Sequence, residues 1–413
     1  MQAKTFSRYD IFIIAILTIL QFTIILDFMV LSPLGAILIP ELAITPSQFG
    51  MVVSAYAFSA GASGLLAAGF ADRYDRKKLL IFFYAGFIIG TFLCGVAPDF
   101  QMLLAARIFT GIFGGVIGAI SFAIVTDLFR IEVRGRVMGY LQMAMAGSQV
   151  LGLPIGLYFA TLWGWHSPFL MIVVISLVVG MLIVLYMKPI DLHLTLQTRT
   201  NAFTHLARTI SHSDYFRAFV ATTLLATGGF MLMPFASAYS VNNLGLLITQ
   251  LPLLYMVTGV FSMVAGPFIG KLTDSAGKFA VFFYGTVLSI LIVMVYCHLG
   301  VTPLWGVMIV SVLMFTGVSS RMISSQALLS AVPEPRDRGA FMSVNSSVQQ
   351  ISGGIATFIA GLIIYQRPDG YLENYDVLGY VVSGVMVVTI ALMYGLHLVV
   401  KEKLSAGKPA LDV

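Results

Sequence analysis

Twelve times along the chain, a run of about twenty or more mostly apolar residues ends at a short cluster of charge, Gly or Pro. No other feature restricts the fold as much. A helix of that length spans the ~30 Å hydrocarbon core of a bilayer. Within that core, backbone N–H and C=O groups must be satisfied inside the segment. The runs lie at about 10–37, 48–71, 78–97, 101–127, 134–160 and 166–187, then at about 215–240, 248–271, 279–299, 303–330, 337–365 and 375–400. They are continuous rather than ~10-residue alternations, which excludes an outer-membrane barrel. The expected fold class is therefore an all-α membrane protein of twelve transmembrane helices. Of the 413 residues only 10% are charged and 59% are hydrophobic, which leaves no surface for a soluble domain of ordinary size. Lys4 and Arg8 precede the first run as they would in a signal peptide. That run is too long for a signal sequence, contains Asp27 and has no small-residue cleavage site, so it reads as a first span.

Basic residues set the orientation. With the N-terminus inside, 20 of the 23 Lys and Arg fall on the inner segments; Arg367 lies in an outer loop, and Arg107 and Arg321 lie within spans. That bias places both termini in the cytoplasm of a bacterial-type inner membrane. The net charge of +5 is scattered over short loops, so nucleic acid is not an expected partner. Cys94 and Cys297 sit within apolar runs and carry no disulfide or metal pattern.

The longest loop, about 188–214, divides the chain into related halves. Gly69-Phe-Ala-Asp72-Arg73-Tyr-Asp-Arg76-Lys77 closes the second run, and Gly270-Lys-Leu-Thr-Asp274-Ser-Ala-Gly277-Lys278 closes the eighth. Arg134-Gly135 opens the fifth run, and Arg338-Gly339 opens the eleventh. Offsets of about 201–204 residues indicate a duplicated six-helix unit. The expected organisation is a bundle over 1–187, a cytoplasmic linker over 188–214 and a second bundle over 215–413. Many secondary transporters use such repeats, with the binding site at their midplane interface.

The loop Gly69-x-x-Asp72-Arg73-x-Asp75-Arg76-Lys77-Lys78 resembles the loop motif of the major facilitator superfamily, with Asp75 where that motif has Gly. Arg107-x-x-x-Gly111 resembles the superfamily's span-four arginine motif, and Asp127 with Arg134-Gly135-Arg136 resembles its acidic and basic turn before span five. Leu26-Asp27-Phe28 through Pro33, with Ser54-Ala-Tyr56, is similar to the twelve-span drug:proton antiporters and sugar-efflux relatives. The span-five antiporter motif is partly present as Gly147…Gly152-x-Pro154-x-Gly156. The resemblance implies two pseudo-symmetric six-helix bundles and alternating access by a single chain.

Charge inside a span costs roughly 2.5–3.5 kcal/mol on insertion scales, so Asp27, Arg107 and Arg321 need a reason to be there. Desolvation favours the protonated carboxyl, which suits Asp27 to carry a proton; a hydrogen-bonded Asp near the outer mouth is the plainer reading. Arg107 is placed either to tune that acid or to snorkel. Around Arg321 lie Ser319, Ser320, Ser324, Ser325 and Gln326, a setting for a carboxylate or phosphate, or for a structural bond to backbone carbonyls. Gln142 with Gln149, and Asn345 with Gln349, repeat at helical spacing and either line a cavity or join helices. Gly69, Asp72, Arg73, Arg76, Asp127, Arg134 and Asp274 form an expected conformational latch, for which lipid-headgroup anchoring is the alternative.

The six His are dispersed, and no HExxH, nucleophile elbow or phosphate loop occurs, so enzyme chemistry and ATP-driven pumping are not expected, nor is any cofactor. Duplication and sparse buried charge fit a carrier better than a channel. The expected function is proton-coupled antiport that exports a small amphipathic solute, drug or sugar-like. The alternative, resting on Arg321, is import or facilitated passage of a small organic anion.

Overall fold

The computed structural model describes residues 6–67, 74–191, 194, 210–334 and 337–406. Six long helices precede the linker: α1 (Arg8–Glu41), α2 (Pro46–Ala67), α3 (Arg76–Gly95), α4 (Phe100–Leu128), α5 and α6 (Ser167–Tyr186). Helix α5 begins as Ile131–Gly147, passes through a π-turn at Ser148–Gly152 and continues as Leu153–Trp163. Six more follow: α7, α8 (Leu251–Ala276), α9 (Lys278–Cys297), α10 (Leu304–Leu329), α11 (Arg338–Ile363) and α12 (Tyr375–Ala406). Helix α7 runs as Ser213–Phe230 and, after a 3₁₀ turn at Met233–Phe235, as Ala236–Asn242. The twelve helices of the expected fold class are therefore present.

Helix starts carry the chemistry needed to satisfy free N–H groups. Ser7 and Asp10 form a reciprocal capping box on α1. Asp75 accepts from the Lys78 N–H at 3.0 Å on α3, and Asp99 accepts from the Met102 N–H at 2.8 Å on α4. On the outer face of α6, Val174, Leu177, Val178, Met181 and Leu185 are each more than half exposed, as a lipid-facing stripe requires.

Eleven of the helices are long and apolar enough to cross a membrane; α11 falls short because of Asn345, Gln349, Gln350 and several Ser. Its place in the fold resolves the shortfall. Packed between α2 and α7, it turns hydroxyl and amide groups towards protein rather than lipid. Asn345 accepts from the Thr222 hydroxyl at 2.6 Å, Ser352 donates to Thr223 at 3.1 Å, and Thr357 donates to the Phe230 carbonyl at 3.0 Å.

Two helices expected to be continuous are interrupted, each beside a proline. Pro154 has no N–H to give the preceding turn, and α5 switches there to π-type bonding, with the Leu153 N–H reaching the Ser148 carbonyl. In α7, Pro234 would crowd the carbonyl four residues back, at Phe230. The helix opens at that point, and the freed carbonyl takes the Thr357 hydroxyl. A short antiparallel hairpin, Tyr365–Gln366 with Leu372–Glu373, joins α11 to α12 and was not expected. Asn243 at the end of α7 holds it with two 2.9 Å bonds to the Leu372 backbone.

Within the first six helices, α4 packs on α2 and α3, and α1 on α5 and α6; within the second six, α10 packs on α8 and α9, and α7 on α12. The halves meet chiefly through α1 with α7, α2 with α11 and α5 with α8. Part of this contact lies on the face opposite the termini. There Ser237 donates to the Ser32 carbonyl at 3.2 Å, and Phe49 sits edge-on to Phe235. A Cβ at Gly361 would lie 2.9 Å from the Pro46 carbonyl, and one at Gly50 would lie 3.1 Å from that of Thr357. Glycine at both positions allows backbone to meet backbone, sealing that face.

Candidate functional site

Asp27 and Arg107 meet inside the first half with no solvent exposure on either side chain. An Arg107 Nη1 donates to Asp27 Oδ2 at 2.8 Å and reaches the Asp27 carbonyl at 3.3 Å. From α3, the Thr91 hydroxyl donates to the other carboxylate oxygen at 3.2 Å. One acid on α1, one base on α4 and one hydroxyl on α3 therefore tie three helices together. Both charges are desolvated, a state tolerated only when each meets the other at close range.

The pairing depends on local packing that the R-x-x-x-G spacing sets up. Residues four apart share a helix face, so Gly111 lies one turn beyond Arg107. A Cβ on Gly111 would stand 2.6 Å from the Tyr56 carbonyl, so only glycine lets α2 approach this closely. The close approach lays the Tyr56 ring over the guanidinium, 4.4 Å from Cζ. Among the described residues Arg107 Nε and Nη2 have no hydrogen-bond acceptor, and the ring's negative face offers them partial compensation. Phe28, next to Asp27 in sequence, contacts Tyr56 at 5.5 Å and Phe230 of the second half at 5.9 Å between ring centroids. The ion pair therefore lies one aromatic layer away from the boundary between the halves.

A second charge pair stands near the end of the bundle that bears the termini. Arg76 Nε donates to Asp127 Oδ2 at 3.0 Å, joining the start of α3 to the end of α4. The backbone N–H of Arg76 also donates to the Ile190 carbonyl at 3.0 Å. Arg134 reaches back to the last turn of α4, donating to the Phe129 carbonyl at 2.8 Å and the Thr126 carbonyl at 2.5 Å. Cations at a helix C-terminus complement its dipole. Asp75, the departure from the loop motif, caps α3 and so has a local structural role. Gly69, Asp72 and Arg73 lie outside the described residues, and Asp274 is exposed on the last turn of α8.

The polar side chains expected to line a cavity divide by position. Gln142 is exposed, whereas Gln149, Gln326 and Gln349 are half-buried. Asn345 is buried and engaged with Thr222, so it joins helices. Gln149 follows the first residue of the π-turn, and its backbone carbonyl closes on Gly259 of α8. Arg321 is buried in the second half beside Gly228. Sequence reasoning assigned no role to Tyr56 or Thr91. Tyr56 was visible only as part of a family-like stretch, and Thr91 gave no periodic signal.

Comparison with known proteins gives the same picture of the whole chain. The sequence family described as Major Facilitator Superfamily matches residues 17–357 and 218–410. The uncharacterized MFS-type transporter YceJ of Bacillus subtilis is 24% identical over 377 residues, covering 90% of this chain and 94% of that protein. Multidrug resistance protein 3 of the same species is 32% identical over 141 residues, 34% of this chain and 28% of its own. Among solved structures, a bacterial homolog of the human lysosomal transporter Spinster, inward-facing and occupied, superposes with a TM-score of 0.76 at 14% identity, covering 95% of this chain and 98% of that one. That likeness establishes a shared fold.

Proposed function

The chain belongs to the major facilitator superfamily, and from that premise we propose that it is a proton-coupled secondary transporter exporting a small amphipathic solute, drug or sugar-like, by alternating access. The carrying observation is the dry Asp27–Arg107 pair. In this state the carboxylate accepts hydrogen bonds from both Arg107 and Thr91. A proton arriving at Asp27 Oδ2 neutralises the acid and removes its attraction for the guanidinium. The ties between α1, α3 and α4 then weaken together, and Arg107 keeps its face contact with Tyr56. Proton occupancy is thereby converted into helix movement, which is the coupling an antiporter needs.

The distribution of basic residues supports placing both termini in the cytoplasm. The face closed by Gly50, Gly361 and the α1–α7 contact is then external. Residues 1–187 and 215–413 act as the two rocking units, with 188–214 as the linker. Arg76, Asp127 and Arg134, with Asp72 and Arg73, latch the cytoplasmic ends when the cavity faces out, and Asp274 is the counterpart in the second half. Gln149, Gln326 and Gln349 supply neutral polar contacts to cargo, and one chain forms the whole carrier. Purified protein in liposomes, loaded with a pH-sensitive dye, tests the reading over drugs, sugars and organic acids. Saturable solute flux that moves protons in the opposite sense is expected. Saturable flux that leaves the internal pH unchanged and ignores an imposed proton gradient would overturn it.

A further inference from the structure

Arg321 is the one membrane-embedded charge that the proton-coupling mechanism leaves unused, and its surroundings are unlike those of Arg107. It lies two-thirds of the way along α10, with only 3% of its surface exposed. Among the described residues its Nε and Nη2 have no hydrogen-bond partner. The guanidinium crosses to α7, where a Cβ on Gly228 would stand 3.3 Å from Nη2 and 3.5 Å from Nη1. Met386 of α12 closes on the same spot, 3.5 Å from that Cβ position. Every Asp and Glu of the described second half, from Asp214 to Glu402, lies in a loop, in the hairpin or near a helix end, so these residues offer the cation no carboxylate. The nearby Ser324 and Ser325 hydroxyls donate to carbonyls of their own helix, and among the described residues neither accepts from Arg321 Nε or Nη2.

A buried guanidinium with unfilled donors costs several kcal/mol, and a protein that keeps one gains when an anion arrives to fill it. Two features bear on where such an anion would sit. Glycine at 228 places no side chain over the forked donors on the α7 side, and a Cβ on the adjacent Gly229 would meet nothing within 4 Å. On α12, one turn before Met386, Ser383 has a buried hydroxyl that also lacks a partner among the described residues. Phe230, two residues beyond Gly228, touches Phe28 beside Asp27, so this place and the proton site are linked by one pair of aromatic rings.

We propose that Arg321 anchors the acidic group, carboxylate or phosphate, of the transported solute, with the Ser383 hydroxyl as a second donor. A planar fork suits both groups because it can present two parallel N–H donors. The inference rests on the chain being a carrier of small solutes, and it narrows the cargo to amphipathic acids.

The test is equilibrium binding to delipidated protein in neutral detergent, without any proton gradient, read as thermal stabilisation. The probes are benzoate and phenyl phosphate, with benzyl alcohol as the uncharged control and phosphatidylglycerol as the lipid source of the same chemistry. Benzoate or phenyl phosphate should raise Tm saturably, and benzyl alcohol should not. Arg321→Met should abolish the rise, and Arg321→Lys should weaken affinity about tenfold or more. Because the arginine has unfilled donors, Arg321→Met without probe should be at least as stable as the wild type. Stabilisation by phosphatidylglycerol alone, an unchanged response in Arg321→Met, or a large loss of basal stability in that variant would each overturn the proposal. Because the assay reads equilibrium binding without a proton gradient, its failure is distinguishable from failure of proton coupling.

Discussion

Removing one member of the Asp27–Arg107 pair should cost more than removing both. At 2.8 Å, two unit charges in an effective dielectric of 20 attract by about 6 kcal/mol before desolvation is counted. Breaking a buried pair from one side typically costs ~3–5 kcal/mol, because the other charge stays buried without its partner. Asp27→Asn should lie at the upper end of that range, since a guanidinium cannot shed its proton and Arg107 Nε and Nη2 already lack acceptors. Arg107→Met should cost less at low pH, where the stranded carboxyl can take up a proton and become neutral. The double variant Asp27→Asn/Arg107→Met removes both charges and should recover most of the loss. Reversible unfolding in mixed detergent, run as a double-mutant cycle at two pH values, measures each quantity. Single variants within ~1 kcal/mol of the wild type, with additive effects, would refute the claim that the pair is a dry, coupled unit.

Three further outcomes follow from particular contacts. Arg76→Asp and Asp127→Arg should each slow solute exchange several-fold while cargo affinity holds, and the double exchange should restore the rate; counterflow measurements on the three variants check this. Gly361→Val places side-chain atoms within about 3 Å of the Pro46 carbonyl and Ser47, so α11 should be pushed from α2 and the sealed face should open. Spin labels on the loops flanking α2 and α11 would then report longer distances, and an unchanged distribution would count against the seal. Tyr56→Leu should destabilise the protein by ~1–2 kcal/mol by removing the ring over Arg107, whereas Tyr56→Phe should retain most of that contact; equal losses in both would assign the effect to the hydroxyl.

Much of this arrangement was legible in the residues because lipid is an unforgiving solvent. Asp27 and Arg107 stood out by their cost within apolar runs, and that same cost drives them together in the fold. Arg76 and Asp127 were likewise readable as a pair from their places at neighbouring helix ends. Where polar side chains could satisfy themselves in more than one way, sequence alone did not decide. Asn345 and Gln142 share residue class and helical spacing, yet one bonds to Thr222 and the other is exposed. The break in α7 was hidden for a related reason. Pro234 supplies the cause, but the opened turn is tolerable only because Thr357, over a hundred residues away, satisfies the Phe230 carbonyl. Tyr56 gained its place from the glycine of the neighbouring helix, a contact that no pattern within α2 reveals.

Accumulation of a transported solute against its gradient, driven by an imposed pH difference, is the most direct test of proton exchange at Asp27. In liposomes, Asp27→Asn should abolish that accumulation while leaving counterflow of the same solute measurable. Uphill accumulation at the wild-type rate in Asp27→Asn would contradict the account.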